Sequence, residues 1–197
     1  MELHLDLKKR YTFSDYLTWL DDKRRELFNG FVKLMSPAPS SAHQSIESNL
    51  HREISWYLKK KKCKIFTAPF DVRLPNGENE KRNDQIFTVV QPDISVICDV
   101  SKIDAKGCLG PPDLIVEIVS PATAKRDVEE KFLIYQKHGV REYWIVFPED
   151  RSLSVFLLDK DNKYQLVGMY ANDTKVKVNI FEDLLIDLAE IFEDFAS

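Results

Sequence analysis

Residues 114–119 read Leu-Ile-Val-Glu-Ile-Val, an apolar run with one carboxylate at its centre. A short, continuous apolar run of this kind suits a strand buried on both faces. An ionised carboxylate is costly to bury unless it is paired, hydrogen-bonded or bound to a metal. The fold must therefore supply Glu117 with a partner. A cation from the chain would make it a structural ion pair, whereas a metal ion would make it part of a site.

A second carboxylate bears on that choice. Asp93 opens the apolar stretch DISVIC, directly after Pro92. Along its strand, Asp93 shares a face with Ser95 and Ile97, and Glu117 shares one with Asp113, Ile115 and Val119. If the two strands are neighbours, both carboxylates can point into one pocket. Their repulsion would raise one pKa unless a cation sits between them. A hard divalent ion such as Mg²⁺ relieves it with a few carboxylates, waters and phosphate oxygens. Such a site can activate water and stabilise the charge that develops in phosphodiester cleavage. Asp93 after proline equally suits a turn, so the pair alone is a weak signal.

Asp127, Lys131 and Tyr135 follow at steps of four and share one helix face. Lys131 can form a surface pair with Asp127, or reach back to Glu117 and there neutralise a phosphate or position water. Glu26 and His43, taken singly, read as surface or capping residues.

The surrounding elements are legible from spacing. Ser14 is a good N-cap for a short helix that would carry Leu17 and Leu20 inward. RRELFNGFVKLM places Asn29-Gly30 between two apolar arms, the strongest short hairpin signal. A helix over about 41–61 carries Ile46, Leu50, Ile54 and Leu58 at intervals of four. KIFTAPFDVRL alternates as one half-buried strand, followed by a polar loop and a strand around VVQPDISVIC. A helix over about 124–138 ends at Gly139, a left-handed cap. REYWIVF, a hairpin of SLSVFLL and KYQLVGMY, a short VKVNI strand and an acidic terminal helix complete the chain. This order predicts an α/β (α+β) sandwich, a central sheet flanked by helices, with LIVEIV and YWIVF joined by a right-handed parallel crossover.

Composition narrows the class. The 197 residues suit one domain, and 44% hydrophobic with 30% charged residues is ordinary for a globular protein. No apolar run approaches the roughly 20 residues that span a bilayer, and MELHLDLKKRYTF lacks a signal-peptide layout. The expectation is a cytoplasmic protein. Cys63, Cys98 and Cys108 form an odd set without CxxC spacing, which argues against a disulfide framework or a cysteine zinc site; Cys63 and Cys98 read as small core residues. A formal charge of −4 is not that of a protein relying on general attraction to nucleic acid. The one basic run, Lys59–Lys62 with Lys64, suits either the solvated end of a helix or a phosphate contact.

The segments RELFNG, SPAPSSAHQ, APFDVRL, VQPDISVIC, PPDLIVEIVSPAT, the D-x-x-x-K-x-x-x-Y helix and GVREYWIV, in that order, resemble the Uma-two family of restriction endonucleases, a branch of the PD-(D/E)XK nuclease superfamily. The likeness covers residues 12 to 190. It implies a restriction-endonuclease-like fold: a mixed central sheet flanked by helices, with additional β-hairpins. It also implies a Mg²⁺ site, with Mn²⁺ as a substitute, acting on nucleic acid, with DNA the expected substrate. By residue, Asp93 matches the superfamily's metal-binding aspartate and Glu117 the acidic residue of its E-x-K element. The carbonyl of Ile118 would be a further metal ligand, and Glu26 and His43 match positions lining the site. Glu26 would add to the metal shell, while His43, Asp127 and Tyr135 would face substrate. The expected lysine two residues after Glu117 is replaced by Val119, and Lys131 is the natural substitute. Cutting two strands would suit a homodimer, which no residue pattern here fixes. The alternatives are a non-catalytic domain that keeps this fold for binding or assembly, and a structural protein with Glu117 simply ion-paired.

Overall fold

The computed structural model describes residues 4–35, 39–77, 79–120 and 126–193, with the side chains of 126 and 127 excepted. α1 (Phe13–Tyr16) is capped by Thr12 in a capping box with Asp15, two residues before the expected Ser14 cap. At four residues it is too short to turn Leu17 and Leu20 inward. Both are exposed, Leu20 at 96%, and Phe13 is the residue it buries.

β1 (Arg25–Phe28) and β2 (Phe31–Leu34) form the expected hairpin, with Asn29 and Gly30 at φ 51° and 91°. α2 (Ser41–Leu58) starts at Ser40, whose hydroxyl accepts from the His43 N–H. It buries Ile46, Leu50, Ile54 and Leu58.

KIFTAPFDVRL is divided rather than continuous. β3 (Lys64–Thr67) and β4 (Val72–Arg73) flank the cis Ala68–Pro69 bond and belong to different sheets. The alternation was correct for each half, but alternation carries no information about which sheet a strand joins. VVQPDISVIC divides likewise into β5 (Val89–Val90) and β6 (Ile94–Ile97). β7 (Ile103–Asp104), β8 (Gly107–Leu109) and β9 (Leu114–Ile118) follow.

A π-helical turn, Arg126–Lys131, leads into α3 (Phe132–His138), which ends at Gly139 with φ 85°. The expected helix start at 124 lies outside the described residues. β10 (Glu142–Phe147), β11 (Ser152–Leu158), β12 (Tyr164–Ala171), β13 (Lys175–Lys177), β14 (Leu185–Asp187) and α4 (Leu188–Ile191) complete the chain.

These elements make a mixed α+β fold with two six-stranded sheets where one central sheet was expected. One has the order β2-β1-β5-β4-β8-β7 and the other β12-β11-β10-β9-β6-β3. β9 and β10 are parallel, as the crossover predicted, with Glu117 beside Ile145. One face of the second sheet packs Ile94, Val96, Leu114, Val116 and Trp144 against α2 and the C-terminal elements. The other packs Ile97, Ile115, Tyr143 and Ile145 with Tyr135 of α3 and with Val72 and Val90 of the first sheet. Burial on both faces is why β6, β9 and β10 read as unbroken apolar runs.

Cys63 and Cys98 are joined by a disulfide, correcting the expectation of two free core cysteines. β3 and β6 pair Lys64 with Ile97, and the next step of that register sets the two cysteines opposite each other. Cys108 is free and buried, which pushes its thiol pKa up to about 12. Among the described residues, no helix is long and apolar enough to cross a membrane.

Candidate active site

The two sheets meet where Gln91-Pro92-Asp93 passes from β5 to β6. Pro92 has no N–H, so ladder pairing stops there and the chain can change sheets. β6 and β9 are antiparallel neighbours pairing Ile94 with Val116. Asp93 lies just before β6, one residue beyond that pairing, and Glu117 lies one residue beyond it on β9. Asp93 Oδ2 accepts the Ile118 N–H at 2.7 Å and lies 3.3 Å from His43 Nε2.

Glu117 is buried one residue from the end of β9, in a strand buried throughout. Its Oε1 accepts from Lys131 Nζ at 2.8 Å and from the Tyr135 hydroxyl at 2.6 Å. Lys131 thus reaches back from the turn preceding α3 and is only 3% exposed; the alternative of a surface lysine does not apply. The same Nζ stands 3.1 Å from Glu26 Oε1, which also accepts the Gln91 N–H at 2.9 Å. Glu26 comes from the other sheet and is fully buried. Lys131 therefore ties the two sheets together through two carboxylates.

Tyr135 is wholly buried. Burial, and then the charges of Glu117 and Glu26, hold its pKa well above the ordinary value. It stays a neutral donor that fixes the orientation of Glu117. Expected to face substrate, it donates to Glu117 from within the core. The side chain of Asp127 lies outside the described residues.

His43 sits at the first turn of α2 beside Asp93. Burial opposes its protonation, but the Asp93 hydrogen bond and charge, the charge of Glu47 and the Ile118 main chain together raise its pKa above 6.5. Glu47, one turn further along α2, has its own pKa raised by burial and by the charge of Asp93. A proton bound more tightly in the folded state stabilises it fully below the unfolded pKa, and that contribution is lost as pH rises through the folded value. In metal-free buffer the His43 ring protons should titrate above 6.5 by NMR, and Asp93→Asn should move the midpoint down. An unchanged midpoint in that variant would show that Asp93 is not the cause.

The site also contains residues that sequence reasoning missed. The Gln91 side-chain amide accepts twice from Arg24, at 3.1 and 2.9 Å, and donates to Tyr16 and Asp71 at 3.2 and 2.8 Å. It locks the segment that delivers Asp93. Its position next to the Pro-Asp pair was the one available signal.

One feature distinguishes this cluster from ordinary buried polarity. Glu142, also buried, accepts from Trp144, Asn179 and the Ile180 N–H, so both its oxygens are satisfied. Glu26 Oε2 is buried without a hydrogen-bond partner. Such orphans are rare in folded proteins and call for an explanation. Among the described residues, no group of three or more His, Cys, Asp or Glu is arranged to hold a metal ion. Mg²⁺, however, keeps several waters and takes one or two carboxylates together with substrate phosphates. The donors at hand are carboxylate and carbonyl oxygens, which suit it, and the orphaned Glu26 oxygen is a further hard donor.

Comparison with known proteins bears on the family and the fold. The family model Uma2, described as "Putative restriction endonuclease", matches residues 13–189. An uncharacterised Synechocystis protein, slr1290, is 25% identical over 162 residues, covering 81% of this chain and 80% of its own. A crystal structure described as a "putative nuclease belonging to DUF820", from Anabaena variabilis, superposes with a TM-score of 0.72 at 21% identity. The match covers 92% of this chain and 97% of that one, and at this identity it shows a shared fold.

Proposed function

The chain belongs to the Uma2 family of putative restriction endonucleases, and from that premise we propose that it is a Mg²⁺-dependent endonuclease hydrolysing phosphodiester bonds in DNA. The observation that supports the reading is a buried carboxylate cluster at the sheet junction: Glu117 and Glu26 share Lys131, Asp93 accepts the N–H of Ile118 next to Glu117, and one Glu26 oxygen is buried without a hydrogen-bond partner. Asp93, Glu117 and the Ile118 carbonyl would hold the ion, with Glu26 adding a carboxylate. When bound, the ion would lower the pKa of a coordinated water and offset charge on the phosphate.

The chain's own groups prepare that site. Tyr135 fixes the Glu117 carboxylate through a neutral hydrogen bond. Lys131, bound to Glu117, would supply the cation that position 119 lacks, neutralising a scissile phosphate or orienting the attacking water. His43, held by Asp93, would face the substrate phosphate beside the site.

The test is incubation of the purified protein with plasmid and with single-stranded DNA in Mg²⁺, Mn²⁺ or EDTA. Nicking or linearisation with either metal and none in EDTA is expected. An intact plasmid in all three conditions, with no metal binding by calorimetry, would reject the endonuclease. One observation favours a second reading, a non-catalytic domain of the same fold: Lys131 already neutralises Glu117 and Glu26 without any metal. Metal-independent DNA binding without cleavage would identify that case.

A further inference from the structure

The outer face of α2 forms a track that the candidate site does not use. Gln44, Ser48, Arg52 and Trp56 stand at steps of four along it, with Lys60 in the turn just past its end, and all five are exposed. No acidic residue lies on that line, although Arg52 pairs with the adjacent Glu53 at 3.0 Å. The track starts beside His43, which touches Asp93, and ends in the lysine run Lys59–Lys62 with Lys64. Trp56 lies 13 residues beyond His43, about 20 Å along the helix axis at about 1.5 Å per residue.

Trp56 is the unusual member. Its ring is 74% exposed, although a large aromatic side chain gains most by burial. Lys59 Nζ lies 5.1 Å from the Trp56 ring centre and Lys61 Nζ 3.2 Å from that of Tyr57. Trp56, Tyr57, Lys59, Lys60 and Lys61 line a surface hollow of about 360 Å³. Of the five lysines, only Lys61 has an ion pair among the described residues, to Asp183 at 3.8 Å. Capping the helix end would use one or two cations and would not explain an exposed indole among them. In a chain of net charge −4, this is a local reversal of sign joined to an aromatic platform. That combination recognises single-stranded nucleic acid: bases stack on the ring while cations follow the phosphates.

Resting on the endonuclease reading, we infer that this α2 track holds a single-stranded segment of the nucleic acid extending from the candidate site, with a base stacked on Trp56 and phosphates on Lys59 and Lys60. The probe is a fluorescein-labelled oligothymidylate of about 15 nucleotides, followed by anisotropy in EDTA beside a duplex of equal length. Trp56→Ala should weaken oligothymidylate binding about tenfold, within the range of one stacked base. Lys59→Ala with Lys60→Ala should lower the slope of log affinity against log salt by about 1.4, at about 0.7 per single-strand phosphate contact. Binding should also quench tryptophan emission in wild type, with the quench lost in Trp56→Ala. Affinities within twofold of wild type in both variants, or no binding by wild type, would overturn the inference. Plasmid cleavage measured in parallel separates the two ideas. Metal-dependent cleavage with unaltered variant binding sinks the track alone, whereas track-dependent binding without cleavage sinks the endonuclease alone.

Discussion

Glu117→Gln should lower metal-dependent DNA cleavage by about 10³-fold, several kcal/mol of lost charge stabilisation at about 1.4 kcal/mol per factor of ten. Stability should change by no more than about 1 kcal/mol, the scale of one ordinary hydrogen bond. The amide oxygen can still accept from Tyr135 and Lys131, and Lys131 keeps Glu26 as its counter-charge. Asp93→Asn should lose cleavage similarly. Its stability cost falls on the Ile118 N–H and His43, which now donate to a neutral oxygen. The decisive pattern is lost activity with retained fold, read by cleavage assay and thermal melt together. A Glu117→Gln protein that melts far below wild type would place Glu117 among structural ion pairs.

Lys131→Met should be the most destabilising single change at the site, at about 3–5 kcal/mol. Lysine removal leaves Glu117 and Glu26 buried with no cation between them, a penalty that one carboxylate can escape only by taking up a proton. For a chain of this length the melting temperature should fall by roughly 10 °C, and the loss should shrink as pH falls and that proton binds. Glu26→Gln added to Lys131→Met should recover much of the stability, because a single buried carboxylate then remains with Tyr135 as donor. If the double variant melts no higher than Lys131→Met, the two carboxylates are not the source of the loss.

These residues also show what was legible in the sequence. The Asn29-Gly30 hairpin, the α2 stripe and the Gly139 cap are set by contacts within a few residues, and each was readable from local chemistry. Glu117 announced itself because a carboxylate in an apolar strand needs a partner. Lys131 was accessible for the same reason, since its helix follows the strand closely. Glu26 as the second partner was beyond local reasoning, because it arrives on another sheet through a long-range pairing. The Cys63–Cys98 disulfide was missed because cysteine counting ignores register, and only the β3–β6 pairing sets those residues opposite each other. Phe66, Phe70 and Val72 alternate as one strand would, yet Pro69 stands between two sheets. Leu17 and Leu20 were assigned inward on a helix that ends too early to turn them.

The passage of Gln91-Pro92-Asp93 from one sheet to the other has a consequence for how the site is assembled. No contiguous fragment contains the site: Glu26 belongs to the N-terminal hairpin, Glu117 to a central strand and Lys131 to the turn before α3. Contacts this distant in sequence form slowly, because loop closure must precede them. Glu26 therefore joins Glu117 and Lys131 only after both sheets have paired. During folding, a chain with only the second sheet formed holds Glu117 but lacks Glu26. The complete carboxylate–lysine cluster should appear last, in step with the docking of the two sheets.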